Sequence, residues 1–393
     1  MTLSFGDEVE AFRQEFLAWL AENRPSAEEM AAEPAISSAH VPGWAGRWAR
    51  RLFDAGWLVP GWPTERGGRN AGSVETLVCL EELTKAGVPR TTNPQGLGIV
   101  APSILDYGSE EQIRDYAMPI LRGEKSACLG MSEPGAGSDL ASLSTRAVLD
   151  GDRIVIDGQK VWTSGANDAD FCFLFCRTNP EAPKHKGISV VLVDMATPGI
   201  TVRPLAEIAK PEHPDLNEVF LSEVVVPREN LVGKLNDGWA MANGSLAHER
   251  GMVWLSFVVT LEEDIAAVLA EAPAALERLA PAERAVVADG LVASAIDSAA
   301  ARCLGYRGFA KLVRGGSAPE QALMKAYTSE AKRRLALRAA ELGTDHTVDI
   351  GSTAASDPTW IERYFVSFGG TISAGSSEIQ RNIIAEKVLG LPR

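Results

Sequence analysis

The chain has 393 residues, of which 46% are hydrophobic and 23% charged, and its formal net charge is −14. At roughly 150 residues per domain this is room for two or three cores, and no stretch approaches the ~20 uninterrupted apolar residues that a membrane-spanning helix needs. No membrane protein is therefore expected, and an acidic excess of this size is repelled by phosphate backbones unless a local patch reverses it, which argues against nucleic acid as a main partner.

From the N-terminus, Phe5, Val9, Phe12, Phe16 and Leu20 recur at helical spacing, and Ser4 with Asp7 three residues later predicts a capping-box-like start. Residues 74–86 and 110–121 continue the helical pattern between Gly/Pro punctuation such as Val59-Pro-Gly-Trp-Pro63, so 1–126 reads as an all-α domain. Met1 to Glu10 carries no basic n-region or apolar h-region, which predicts no secretory leader and a cytoplasmic protein. Five cysteines, sparse and odd in number, suit reduced thiols. Cys172 and Cys176 share one face of an apolar strand with no second Cys/His cluster, so they read as core and no metal site is expected.

The texture then changes. Asp150-Gly151 and Asp157-Gly158 read as tight-turn dipeptides flanking 153–156, and β-rich runs follow at 171–176, 188–194, 200–205 and 219–226. Short strands with turn signals between them predict a β-barrel or sandwich over 127–234. From Trp239 the pattern is helical again, at 264–280, 282–313, 320–342 and 379–389, giving a C-terminal helical bundle over 235–393. The expected class is α+β, ordered helical, β, helical.

Three segments could carry chemistry. Met131-Ser-Glu-Pro-Gly-Ala-Gly-Ser-Asp139 combines two glycines, a turn-fixing proline and two hydroxyls, which suits a phosphate or flavin edge and equally an ordinary surface loop. In Gly158-Gln-Lys-Val-Trp-Thr-Ser-Gly165, Trp162 could stack on a planar cofactor while Ser164 bonds its edge; a core tryptophan is the plainer reading. Gly369-Gly-Thr-Ile-Ser-Ala-Gly-Ser-Ser-Glu378 places small polar residues before a helix, aiming N–H groups at an anion or carbonyl, or merely capping through Ser376 or Ser377.

Taken in order, these segments resemble the acyl-CoA dehydrogenase family of flavoenzymes, over essentially the whole chain. The resemblance implies FAD held between a β domain and a C-terminal four-helix bundle. It also implies dehydrogenation of an acyl-CoA to the trans-2-enoyl-CoA in fatty acid β-oxidation or other lipid degradation, with an electron-transfer flavoprotein as acceptor. By position, Leu129, Met131, Ser132 and Ser138 would line the flavin and its phosphates, with Ser138 also beside the CoA chain. Trp162 would stack near the isoalloxazine and Ser164 would bond near its N5. Ser376 and Glu378, heading the closing helix, join the cofactor set, and Ala374 and Gly375 the substrate set.

Many members carry their catalytic glutamate in the loop before the final helix, but the matching residue here is Ala374. A subgroup that includes the isovaleryl-CoA enzyme takes the base from an early C-terminal helix, where Ser245-Leu-Ala-His-Glu-Arg-Gly251 supplies Glu249. Glu249 is therefore the expected base. A glutamate desolvated against a flavin and an acyl chain would have a raised pKa. Arg250 resembles the family's arginine near the substrate, while His248 has no assigned role. The Ala374 N–H remains as a donor to the thioester carbonyl, and its small side chain suits a branched or bulky acyl group. The closing sequence is similar to actinobacterial members that degrade lipids or steroid side chains, several of them heteromeric pairs.

Two family features are missing. No Arg-x-x-Phe-Gly motif is seen at 302–316, where Arg302 and Arg307 are loose candidates, and the Gln-x-x-Gly-Gly position near 347–352 reads Thr-Val-Asp-Ile-Gly-Ser. The expected assembly is a homotetramer or dimer, or an α2β2 complex with a paralogous subunit that completes the FAD site. An acyl-CoA oxidase and a non-catalytic half-site subunit stay open as alternatives. Lys184, His185 and Lys186 either meet CoA phosphates or face solvent.

Overall fold

A computed structural model describes residues 5–209, 212–250, 253–316, 320–342 and 358–392, with side chains described at all of these except 245–250, 253 and 320–322. The chain divides into two compact units, Met1–Glu249 and Arg250–Arg393.

The first unit opens with helices α1 (Asp7–Asn23), α2 (Ala27–Ala32), α3 (Gly43–Asp54), α4 (Ser73–Lys85) and α5 (Ala101–Tyr107). Short helices α6 (Glu110–Gln112) and α7 (Met118–Leu121) follow, joined by a π-turn at Ile113–Ala117. Helix α1 buries Phe16 and Leu20 of the stripe foreseen for it, with Val9 and Phe12 half-buried and Phe5 before its first turn; Phe16 lies 4.9 Å from the Trp57 ring and Trp19 stacks 5.7 Å from Trp48. Gly6, without a side-chain cap bond, precedes the helix, and Ser4 lies outside the described residues.

Eight strands follow: β1 (Ala127–Gly130), β2 (Arg146–Asp150), β3 (Arg153–Lys160), β4 (Phe171–Arg177), β5 (Ile188–Asp194), β6 (Ile200–Pro204), β7 (Asn217–Pro227) and β8 (Leu231–Val232). They form one sheet in the order β6-β7-β3-β2-β4-β5-β8, with β1 parallel to β4. Strands β2 and β4 meet only at Arg146 and Arg177, so the sheet has two halves hinged there. The halves share a core: Cys172, Leu174 and Cys176 of β4 pack in one cluster with Ile154, Ile156 and Val224. The alternate residues Phe171, Phe173 and Phe175 join the helical core with Leu52 and Ile104. Strand β4 is thus apolar on both faces because it is buried on both, each phenylalanine contributing about 1.5–3 kcal/mol.

One expected turn is corrected. Asp157-Gly158 does not end the strand; β3 continues to Lys160 through a bulge where its register on β7 shifts between Ile156 and Gly158. A Cβ on Gly158 would lie 2.6 Å from Thr145 Oγ1, so close approach rather than a turn demands the glycine. The bulge carries the chain on to Trp162.

Helix α8 (Gly238–Arg250) spans the unit boundary and buries Met241 and Ala242 in the first unit's helical core. The second unit contains α9 (Val253–Leu276), α10 (Pro281–Val313), α11 (Glu320–Glu341), α12 (Trp360–Ile372) and α13 (Ser377–Ile383), the last followed by a π-turn at Ile384–Val388. Helix α9 starts well before the expected residue 264, because Trp254, Leu255 and Val258 are themselves buried helical positions, and it runs through Pro273. Helices α9 to α12 pack as a bundle around Leu261, Ile265, Leu291, Leu335 and Trp360. Among the described residues no helix is long and apolar enough to cross a membrane.

Candidate active site

At the end of β3 the chain presents one side chain and buries those around it. Lys160, Val161 and Thr163 are buried, whereas Trp162 is 60% exposed with φ +60. A left-handed tryptophan costs about 1–2 kcal/mol and persists only where its neighbours fix it. The fixing groups are visible. Val161 N donates to Ser132 O at 2.9 Å, Thr163 N to Asn217 O at 3.0 Å, and Gly165 N to Asp215 O at 2.8 Å. The buried Asn217 side chain also donates to Thr163 O at 3.1 Å.

The Gly-rich segment lies directly alongside. Glu133 and Ala136 exchange both backbone hydrogen bonds at 3.0 Å, closing a Pro134-Gly135 turn. The Lys160 ammonium, 0% exposed, donates to Met131 O at 3.1 Å and to Glu133 Oε1 at 2.9 Å. The Glu133 carboxylate further accepts from Ser144 N, Ser144 Oγ and Thr145 N at 2.6–2.8 Å. Burial alone would raise the Glu133 pKa, but the Lys160 charge and these donors outweigh it and hold it at about 2. Burial lowers the Lys160 pKa, offsetting part of that gain.

These residues fit a planar, phosphate-bearing cofactor. Gly135 and Gly137 have no positive φ, and a Cβ on either would meet nothing within 4 Å. Neither backbone conformation nor a neighbouring protein atom demands glycine there, so the exposed backbone of this loop is open to close approach by a ligand as well as to solvent. Beside them stands an exposed indole on a strained, fully braced backbone. Leu129 in β1, Met131, Ser132 and Ser164 are half-buried, and Ser138 is exposed.

The C-terminal candidates cluster separately, within the second unit. Ala374 (φ +51) and Gly375 (φ +90) are consecutive left-handed residues before α13. Ser376 Oγ accepts the cap bond from Ile379 N at 3.4 Å, and the exposed Glu378 sits in the helix's first turn, its pKa lowered by the local backbone and Ser376. Gln380 Nε2 donates to Ala374 O at 3.1 Å and Lys325 Nζ to Gly375 O at 2.6 Å.

Other expectations resolve unevenly. Helix α8 carries positions 248, 249 and 250 in its last turn, but the His248, Glu249 and Arg250 side chains lie outside the described residues, as does 347–352. Lys184 pairs with Asp139 at 2.9 Å and Ser142 at 2.7 Å, and His185 meets the Trp239 ring edge-on at 4.5 Å. Arg302 is committed to an ion pair with Glu262. The Glu133–Lys160 pair and the anchors Asn217 and Lys325 were not singled out from sequence, since Lys160 follows the polar Asp157-Gly158-Gln159 and looks like a solvated strand end.

Comparison with known proteins decides the family. The N-terminal, middle and C-terminal acyl-CoA dehydrogenase domain models match residues 6–124, 128–224 and 236–389 in turn. The chain belongs to the acyl-CoA dehydrogenase family. As such it is an oxidoreductase of three-domain architecture, helical, β and helical. It is 35% identical to the acyl-CoA dehydrogenase IpdE1 of Mycobacterium tuberculosis, over 98% of both chains. Among solved structures it resembles the Tcur3481-Tcur3483 steroid ACAD, with 31% identity, a TM-score of 0.82 and 100% of both chains covered. The ChsE4-ChsE5 complex from M. tuberculosis matches with 28% identity, a TM-score of 0.76 and 100% of both chains covered.

Proposed function

We propose that the chain is an FAD-dependent dehydrogenase of a bulky acyl-CoA, of steroid or branched-lipid size, forming the trans-2-enoyl-CoA with Glu249 as base. The observation that carries this reading is the exposed, left-handed Trp162, braced beside two glycines that the protein itself does not require. FAD, when bound, supplies the acceptor for the substrate's β-hydride. Trp162 would stack on the isoalloxazine, Ser164 would bond its edge, and Met131, Ser132 and Ser138 would line its phosphates and the adjoining CoA chain, with Ser376 and Glu378 completing the set. The Glu249 carboxylate takes the α-proton, and the Ala374 N–H donates to the thioester oxygen as enolate charge develops, an effect of about 3 kcal/mol per donor. Arg250 and Gly375 are assigned to the substrate side.

The bulky acyl group is supported by the small residue at 374 and by the solved relative described as a steroid ACAD. An electron-transfer flavoprotein is the proposed acceptor. Assembly as an oligomer is supported by Val286, Val292 and Ile296 of α10, which are 58–74% exposed. Solved relatives made of two named chains favour an α2β2 complex with a paralogous subunit over a homotetramer or dimer.

The test is FAD content of the chain expressed alone, followed by anaerobic titration with linear, branched and steroid-sized acyl-CoAs. A yellow protein whose flavin band is bleached by the bulky thioester is the expected result. A colourless protein that gains flavin only with a paralogous chain would make this a half-site subunit, and rapid aerobic peroxide formation would make it an oxidase.

A further inference from the structure

The loop at 373–376 is held from another helix. Its two left-handed residues leave the carbonyls of Ala374 and Gly375 in need of partners, and each has one: Gln380 Nε2 of α13 for the first, at 3.1 Å, and Lys325 Nζ of α11 for the second, at 2.6 Å. The next residue is anchored to the same helix, Ser377 Oγ donating to Glu330 Oε1 at 2.7 Å while Arg333 pairs with Glu330 at 2.9 Å. Gly375 sits at φ +90, where an L side chain is strained, and a Cβ there would lie 2.8 Å from Gln380 Nε2 and displace the amide that holds Ala374 O. Lys325 is half-buried, and its charged ammonium gives the Gly375 carbonyl a stronger partner than a neutral donor could. Burial lowers its pKa while Glu330 and Glu378 pull the other way.

We propose that Lys325 is a positioning residue for the acyl-thioester carbonyl: by holding Gly375 O it fixes the peptide units around Ala374, and with them the N–H offered to the substrate oxygen. The inference rests on the reading above that this loop receives the thioester. A backbone donor stabilises a developing oxyanion only when its orientation is set beforehand, because a loop that reorients during the reaction surrenders the advantage. A left-handed turn is a poor resting conformation for Ala374, so an external tether is what keeps it there.

The experiment uses the FAD-loaded protein, with whatever partner chain it requires, and the variants Lys325→Met and Lys325→Arg. Acetoacetyl-CoA serves as a non-turnover probe, because the pH at which it ionises when bound reports donor strength at the thioester oxygen. Lys325→Met is expected to retain FAD and thermal midpoint, lower kcat by about 10–100-fold with a smaller change in KM, and raise the bound probe's pKa by about 1 unit. Lys325→Arg, which keeps a charged donor, is expected to recover at least part of both losses. Unchanged kcat and probe ionisation in a folded Lys325→Met protein would overturn the proposal. Where Lys325→Met loses fold or FAD, Lys325→Gln, shorter and uncharged, takes its place, and wild-type kcat and probe ionisation in that folded variant would likewise overturn the proposal. If the wild type neither binds the probe nor is reduced by any acyl-CoA, the functional reading itself fails, and the proposal falls with it.

Discussion

Replacing Lys160 with methionine removes the countercharge of a carboxylate that is only 4% exposed. Methionine preserves most of the stem volume, so the loss is electrostatic: Glu133 keeps its bonds from Ser144 and Thr145 but loses the ammonium 2.9 Å away. Stranding one member of a buried pair costs about 3–5 kcal/mol. For a unit of this size, at about 2–4 °C per kcal/mol, a cost near 3 kcal/mol lowers the thermal midpoint of Lys160→Met by roughly 6–12 °C. The double variant Glu133→Gln/Lys160→Met buries no charge but turns an amide N–H towards the backbone N–H of Ser144 or Thr145, so it should recover part of that loss, as measured by differential scanning calorimetry. A single-variant drop under about 2 °C, or a double variant no better than the single, would refute the reasoning.

The same pair sets an acid limit. Because Glu133 is depressed in the folded state, its stabilisation is fully present above its ordinary pKa of 4.5 and fades as pH falls towards about 2; urea unfolding across that range should show the loss, flattened in Glu133→Gln. Trp162→Gly relieves left-handed strain but loosens the unfolded chain, so stability of the flavin-free protein should change by less than about 0.5 kcal/mol while FAD affinity falls at least tenfold. A stability loss above about 2 kcal/mol would instead mark the indole as core. Gly158→Ala drives a Cβ against Thr145 and should cost about 1–3 kcal/mol in chemical denaturation.

The helical, β, helical order was legible because composition and periodicity change sharply near Gly130 and Trp239, and the run 171–176 announced itself as a strand. That it is buried on two faces became clear only from its phenylalanines and cysteines entering different cores. The bulge at Gly158 was misread because a glycine demanded by the approach of Thr145 looks, in sequence, like a glycine demanded by a turn. Of the site, the exposed aromatic and the glycine loop were legible as motifs. Their bracing was not, since Glu133 and Lys160 stand 27 residues apart, and Lys325 and Gly375 stand 50 apart. No local pattern encodes such pairings; they exist only once the strands and helices have packed.

The central claim is that this chain takes the α-proton of an acyl-CoA with Glu249. Its most direct test is anaerobic titration of wild type and Glu249→Gln with the bulky acyl-CoA that reduces the wild type, monitored by the oxidised-flavin band. The account predicts rapid bleaching in wild type and none in a Glu249→Gln protein that retains FAD and still binds the thioester. Bleaching at the wild-type rate in that variant would contradict it and place the base elsewhere.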